Sequence, residues 1–248
     1  MSETASGEAI PQRMRVISGS TLKVIALIAM LIDHTAGHLL NHIPACTEVW
    51  ISTPLFELSA VRLLRIVGRT AFPIYAFLIA EGAFHTRSRK RYAANLLAFA
   101  LISEIPWNLE HKGKIFLPGS QNVFFTLFCG LMLICIYEVL RDRPVKCAAA
   151  LCGVLALTVL LRSDYGMGGA GLVFVLYLLR ERRIAQCIGG VCLCSAKYYA
   201  FPAFFLIFCY NGKRGFVSGR ALKYLFYAAY PIHLMIIWLV IRQNGWSF

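Results

Sequence analysis

The chain has 248 residues, 58% of them hydrophobic and only 15% charged, with a mean hydropathy of +0.65. A soluble domain sits nearer roughly 45–50% apolar and about 25% charged, so a water-soluble core, a disordered chain and a fibre are excluded in favour of a polytopic membrane protein. Lys plus Arg number 25 against 12 Asp plus Glu, a formal charge of +13; beside apolar segments this points to bilayer-flanking loops rather than to nucleic acid.

In chain order, Met1 to Pro11 is polar, with no basic stretch leading into an apolar one, so the first span is expected to direct its own insertion. Residues 1–21 read as a polar cytoplasmic segment and 22–248 as one transmembrane domain, since no repeat or linker divides them. Nine apolar segments follow, at 22–40, 64–84, 92–107, 122–140, 145–161, 168–179, 184–196, 199–210 and 222–241. Crossing the hydrocarbon takes ~20 apolar residues. The sixth to eighth segments are short, and 184–210 also reads as one long tilted helix. Loop charge arbitrates: 17 of the 25 cations fall in the N-terminal stretch and the loops after even-numbered spans, and six on the opposite side. The positive-inside rule then favours an all-α bundle of about nine spans with a cytoplasmic N-terminus. The nine cysteines lie mostly in apolar runs as small hydrophobes, without a disulfide framework or convincing metal-ligand spacing.

Ionisable groups inside spans are costly and usually face the bundle interior. The orientation gathers several in the outer half: Asp33-His34 in the first span, Arg69 in the second, Glu104 at the end of the third, Asn122 at the start of the fourth, Asp164 in an outer loop, and Tyr230-Pro231 with His233 in the ninth. His34 is the leading candidate for chemistry, because a neutral imidazole accepts a proton near physiological pH. Asp33 diverges from it by about 100° around the helix, so Glu104, Asn122 or Asp164 is expected to orient it. The plainer reading is structural hydrogen bonding of Asp33 and His34. Arg69 needs an acid, an oxyanion or carbonyls, either as a substrate clamp or in an ion pair with Asp33 or Glu104. His38, one turn after His34, makes a two-histidine metal site conceivable, but no third ligand stands at a defined spacing and no metal is expected. Glu81 lies at the cytoplasmic end, where interfacial snorkelling also explains it. His233, a lone histidine on an apolar helix, reads more readily as a packing residue, and Tyr198 and Tyr199 as packing or interfacial aromatics. Asn211-Gly212-Lys213-Arg214-Gly215 is a basic cytoplasmic turn whose glycines let backbone amides approach a phosphate; a plain topogenic loop explains it as well.

These stretches resemble the TraX family, named for a conjugal-transfer protein that N-acetylates pilin. The resemblance rests on Leu31-Ile32-Asp33-His34, Gly68-Arg69-Thr70-Ala71-Phe72-Pro73, Glu81-Gly82-Ala83-Phe84-His85-Thr86-Arg87 and Ser103-Glu104-Ile105-Pro106. It continues through Asn122-Val123-Phe124-Phe125-Thr126, Asp164-Tyr165-Gly166, Tyr210-Asn211-Gly212-Lys213-Arg214-Gly215 and Tyr230-Pro231-Ile232-His233. It implies an acyltransferase of the bacterial inner membrane that uses acetyl-CoA, with His34 near the thioester and Asp33, Arg69, Glu104 and Asn122 around it. The donor phosphates are then expected near Lys213, Arg214 and Asn211, with Arg87 or Arg89. A pilin-like peptide or another amine or hydroxyl acceptor arrives from the outer face. Two other readings compete: a proton-coupled transporter or exporter, since buried Asp, His, Arg and Glu also form relays, and a non-catalytic membrane partner in a secretion complex.

Overall fold

The computed structural model describes residues 12–53, 56–194, 201–217 and 219–247. Most of the polar N-terminal segment, Lys197, Tyr198 and Tyr199 lie outside them. Helices make up nearly all regular structure: α1 Gly19–His34, α2 Pro44–Thr47, α3 Ala60–Gly68, α4 Ala71–His85, α5 Arg89–Lys112 and α6 Val123–Leu140, then α7 Pro144–Leu160, α8 Gly166–Leu178, α9 Arg183–Leu193, α10 Phe201–Phe208 and α11 Arg220–Gln243. The described strands, β1 Ile51–Ser52 and β2 Glu57–Leu58, form a small antiparallel hairpin. The all-helical expectation therefore holds, and the described residues of each of the nine apolar segments fall mainly on helix.

Helix starts follow side-chain chemistry. Ser18, Ser59, Ser88 and Asn122 cap α1, α3, α5 and α6, each accepting from a backbone amide two or three residues on. The first turn of α5 nevertheless carries Arg89, Lys90 and Arg91, which oppose the helix dipole; topogenic charge outweighs helix electrostatics there. Four stretches are long and apolar enough to cross a bilayer by themselves: Gly19–His42, Ala60–His85, Val123–Leu140 and Ala221–Gln243. Three more apolar helices, Pro144–Leu160, Gly166–Leu178 and Arg183–Leu193, are shorter. Residues 184–210 are not one helix. Cys187 Sγ lies 3.6 Å from the Phe204 carbonyl, whereas a continuous helix would separate them by about 25 Å; α10 folds back on α9.

The core runs through α1, α4, α6, α8 and α11, with Leu22, Ile74, Phe77, Leu131, Ile134, Leu172 and Leu234 fully buried or nearly so. Outward, large apolar side chains such as Val139, Val145 and Leu160 stand more than three-quarters exposed, as lipid-facing residues do. This surface and the apolar helices make the chain a membrane protein.

Two breaks position the site. α1 ends at His34 and continues as a π-turn, Thr35–Leu39, then a short 3-10 turn to His42; such π insertions are frequent at functional sites. The segment expected over 64–84 is interrupted at Arg69-Thr70, between α3 and α4, which frees Arg69 from a regular helix. Close packing at this level depends on Gly68, where a side-chain carbon would overlap Asp33.

Candidate active site

The C-terminal ends of α1 and α5 and the middle of α11 converge on a cluster of histidines around one carboxylate. That carboxylate is Glu110, whose side chain is completely buried. Its Oε1 lies 3.0 Å from His38 Nδ1 and 3.7 Å from His34 Nδ1, and its Oε2 contacts His111 Nδ1. The His34 ring meets the edge of His233 at 4.9 Å between centroids, with Tyr230 and Trp107 at 6.0 and 6.4 Å. His233 Nδ1 sits 2.9 Å from the Ala229 carbonyl. A carbonyl only accepts, so this nitrogen carries the proton and His233 Nε2 holds the lone pair.

Beside the cluster stands an ion pair. Asp33 Oδ1 is 3.3 Å from Arg69 Nε and 3.9 Å from Arg65 Nε, and Arg69 Nη1 donates to the Tyr165 hydroxyl at 3.5 Å. Burial, reinforced by the Asp164 carboxylate, pushes the Tyr165 phenol well above its ordinary pKa. It therefore stays protonated, its oxygen accepting from Arg69. Arg69 thus has the Asp33 partner expected as its plainer role, while remaining on a cavity wall.

A cavity of about 680 Å³ connects this centre with the opposite end of the bundle. Asp33, His34, His38, Arg65, Arg69, His111, Asp164 and Tyr230 line the part at the histidines; Lys23, Glu81, Gly212, Arg214 and Lys223 line the part at the basic turn. A second cavity of about 610 Å³, bounded by Asn41, Glu57, Arg62 and Ser59, shares Arg65 and Arg69 with the first. Both volumes suit a small-molecule site.

At the opposite end the basic turn is zipped to the start of α1. Gly19 and Ser20 backbone amides donate to the Lys213 and Arg214 carbonyls, the Ser20 hydroxyl donates to Arg214 at 2.7 Å, and Asn211 Oδ1 accepts from the Lys213 amide. Gly215 is required here: its φ is +82°, and a side chain would strike Ser18 and Ser20.

Other expected residues fall elsewhere. Glu104 does not reach His34. Its Oε2 accepts from Asn122 Nδ2 at 2.7 Å, and that amide also donates to the Ala100 carbonyl at 2.8 Å, while Asn122 Oδ1 caps α6. Neither lines the cavities; together they latch α5 to α6. Arg89 is engaged by the Ala83 carbonyl, Tyr177 and Glu138, and Arg87 is exposed outside the cavity wall. Glu81 pairs with His85 at 3.5 Å.

Sequence reasoning missed Glu110 and His111 because the third segment was closed at Trp107. In fact α5 runs on to Lys112 and stops at Gly113, which adopts the left-handed conformation typical of a helix end (φ +62°). That glycine was the available signal.

Fold and site thus define a helical membrane protein with a histidine-rich centre on a deep, two-ended cavity. The family model "TraX protein" matches residues 18–241, so the chain belongs to the TraX family. It is also 28% identical, over 89% of its own length and 94% of the relative's, to "Probable fimbrial assembly protein FimC, serogroup H1" of Dichelobacter nodosus. No solved structure matches.

Proposed function

We propose that the chain is an acyltransferase of the bacterial inner membrane, with nine spans. It moves acetyl from cytoplasmic acetyl-CoA to an amine or hydroxyl at the outer side. The acceptor class favoured is a pilin- or fimbrial-type peptide N-terminus, in keeping with the family and with the fimbrial assembly named for the Dichelobacter relative. The observation that carries the reading is the cavity joining Lys23 and Arg214 to His34. Along α1 these two levels are about 16 Å apart, a path for a long, flexible donor arm whose charged head stays inside. The second cavity offers the acceptor an approach from outside, past Arg65 and Arg69.

In this scheme the negative charge of Glu110, 3.7 Å from His34 Nδ1, favours the tautomer with the proton on that nitrogen without an aligned hydrogen bond, leaving Nε2 as base. The acceptor nitrogen or oxygen forms a bond to the thioester carbon as His34 takes its proton. The resulting oxyanion is met by Arg69 and Tyr165. As the C–S bond breaks, His34 returns the proton to the departing thiolate, and CoA leaves towards the cytoplasm. The apolar walls limit hydrolysis of the thioester.

The test is transfer of labelled acetyl from acetyl-CoA to an acceptor amine in membrane vesicles. His34→Ala is expected to lower the rate by about 10²-fold or more; a wild-type rate sinks the assignment. Saturable thermal stabilisation by CoA supports the enzyme, whereas proton-driven solute flux without CoA would point to a transporter.

A further inference from the structure

We propose that His34, His38 and Glu110 form a site for one divalent transition-metal ion of the zinc class. The ion, when bound, switches off His34 as a base. The first statement stands on geometry alone; the second rests on the acyl-transfer reading above.

The ligand-capable atoms of these three residues all lie within 4.8 Å of one another. Zinc bonds of about 2.0–2.2 Å to nitrogen and oxygen set tetrahedral ligand atoms about 3.4 Å apart, so a pair at the 4.8 Å limit closes by about 1.4 Å. Two histidines four residues apart on one helix, completed by a carboxylate from another element, form a recognised zinc-binding arrangement. Here the interval between them is the π-turn that begins at Thr35.

A second observation points to a missing cation. Glu110 is fully buried, yet neither of its oxygens receives an aligned hydrogen bond among the described residues, and His34 Nδ1 also lacks one. The three histidines crowd the carboxylate without pointing N–H bonds at it. A carboxylate left so in an apolar bundle is costly, and coordination removes the cost. His111, against the other oxygen, would then hold the ligating carboxylate in place from outside the coordination sphere. His34 and His38 face the cavity while Glu110 stands behind them, which leaves one side of the ion open. The opposing positive charges, Arg65 and Arg69, are both held by Asp33.

The effect on catalysis follows from tautomer chemistry. A metal on His34 Nδ1 places the ring proton on Nε2, so Nε2 can only donate. No acceptor proton can then be taken there.

The experiment is a titration of the metal-stripped, full-length protein in detergent with Co²⁺, read by visible absorption, followed by displacement with Zn²⁺. We expect one ion per chain, bands of a nitrogen–oxygen site, and affinity lowered at least about tenfold by His38→Ala and by Glu110→Gln. His38→Ala, at the cavity wall, carries the test if the buried Glu110→Gln fails to fold. Absence of saturable binding, thiolate-to-cobalt bands from the native cysteines, or binding unchanged in His38→Ala overturns the site. In the acetyl-transfer assay, Zn²⁺ should lower the rate and a chelator restore it, with His38→Ala less sensitive. One bound ion that raises the rate keeps the site and overturns His34 as the base.

Discussion

Two carboxylates on α5 show how a residue's neighbours assign its role. Glu104 and Glu110 are both acids near the C-terminal end of one helix, yet Glu104 is bonded to Asn122 and Glu110 faces three histidines. Asn122→Ala should therefore act on stability. It removes a helix cap and strands Glu104, at a cost of about 1–3 kcal/mol, read as a lower melting temperature in detergent with CoA affinity unchanged. A stable variant with weakened CoA binding would place Asn122 in the site after all. Arg69→Lys keeps the charge but loses the planar fork that spans Asp33 and Tyr165. Turnover should fall with little change in the donor KM, because the loss is at the reacting end. His34 was legible as an imidazole with no reason to sit in an apolar run. Glu110 was not, since its relation to His34 and His38 exists only across helices.

At the scale of elements, the irregular pieces carry the site: the π-turn after α1, the break between α3 and α4, and the glycine turn at 211–215. Hydrophobic periodicity located the helices but gave no sign of the first two, because each lies inside a segment long enough to read as one span. Gly215→Ala tests the third. An alanine at φ +82° is strained and meets Ser18 and Ser20, so the turn must part from the start of α1. A raised KM for acetyl-CoA with little loss of kcat is expected, and an unchanged KM would remove the turn from the donor site. Helix pairing was partly legible too. The choice between one helix and two over 184–210 was settled by α10 lying against α9, a contact that no local pattern encodes.

For the whole molecule, the proposed nine spans, being odd in number, make a direct prediction. An alkaline phosphatase fused to the C-terminus should be active, as on an outer face, and the same enzyme fused in the Arg87–Arg91 loop inactive; an inactive C-terminal fusion rejects nine spans. The sequence by itself determined the solvent and the helical class, and its loop charge supplied the proposed orientation. Apolar excess and loop charge act through the bilayer, and need no knowledge of which helix touches which. It also singled out Asp33, His34 and Arg69, since a polar group in hydrocarbon stands out wherever it packs. Only the tertiary structure decided which acid serves His34, that Arg69 pairs with Asp33, and that one cavity joins the basic inner turn to the histidines. Those relations depend on distances between side chains from different helices, which packing sets and linear spacing does not.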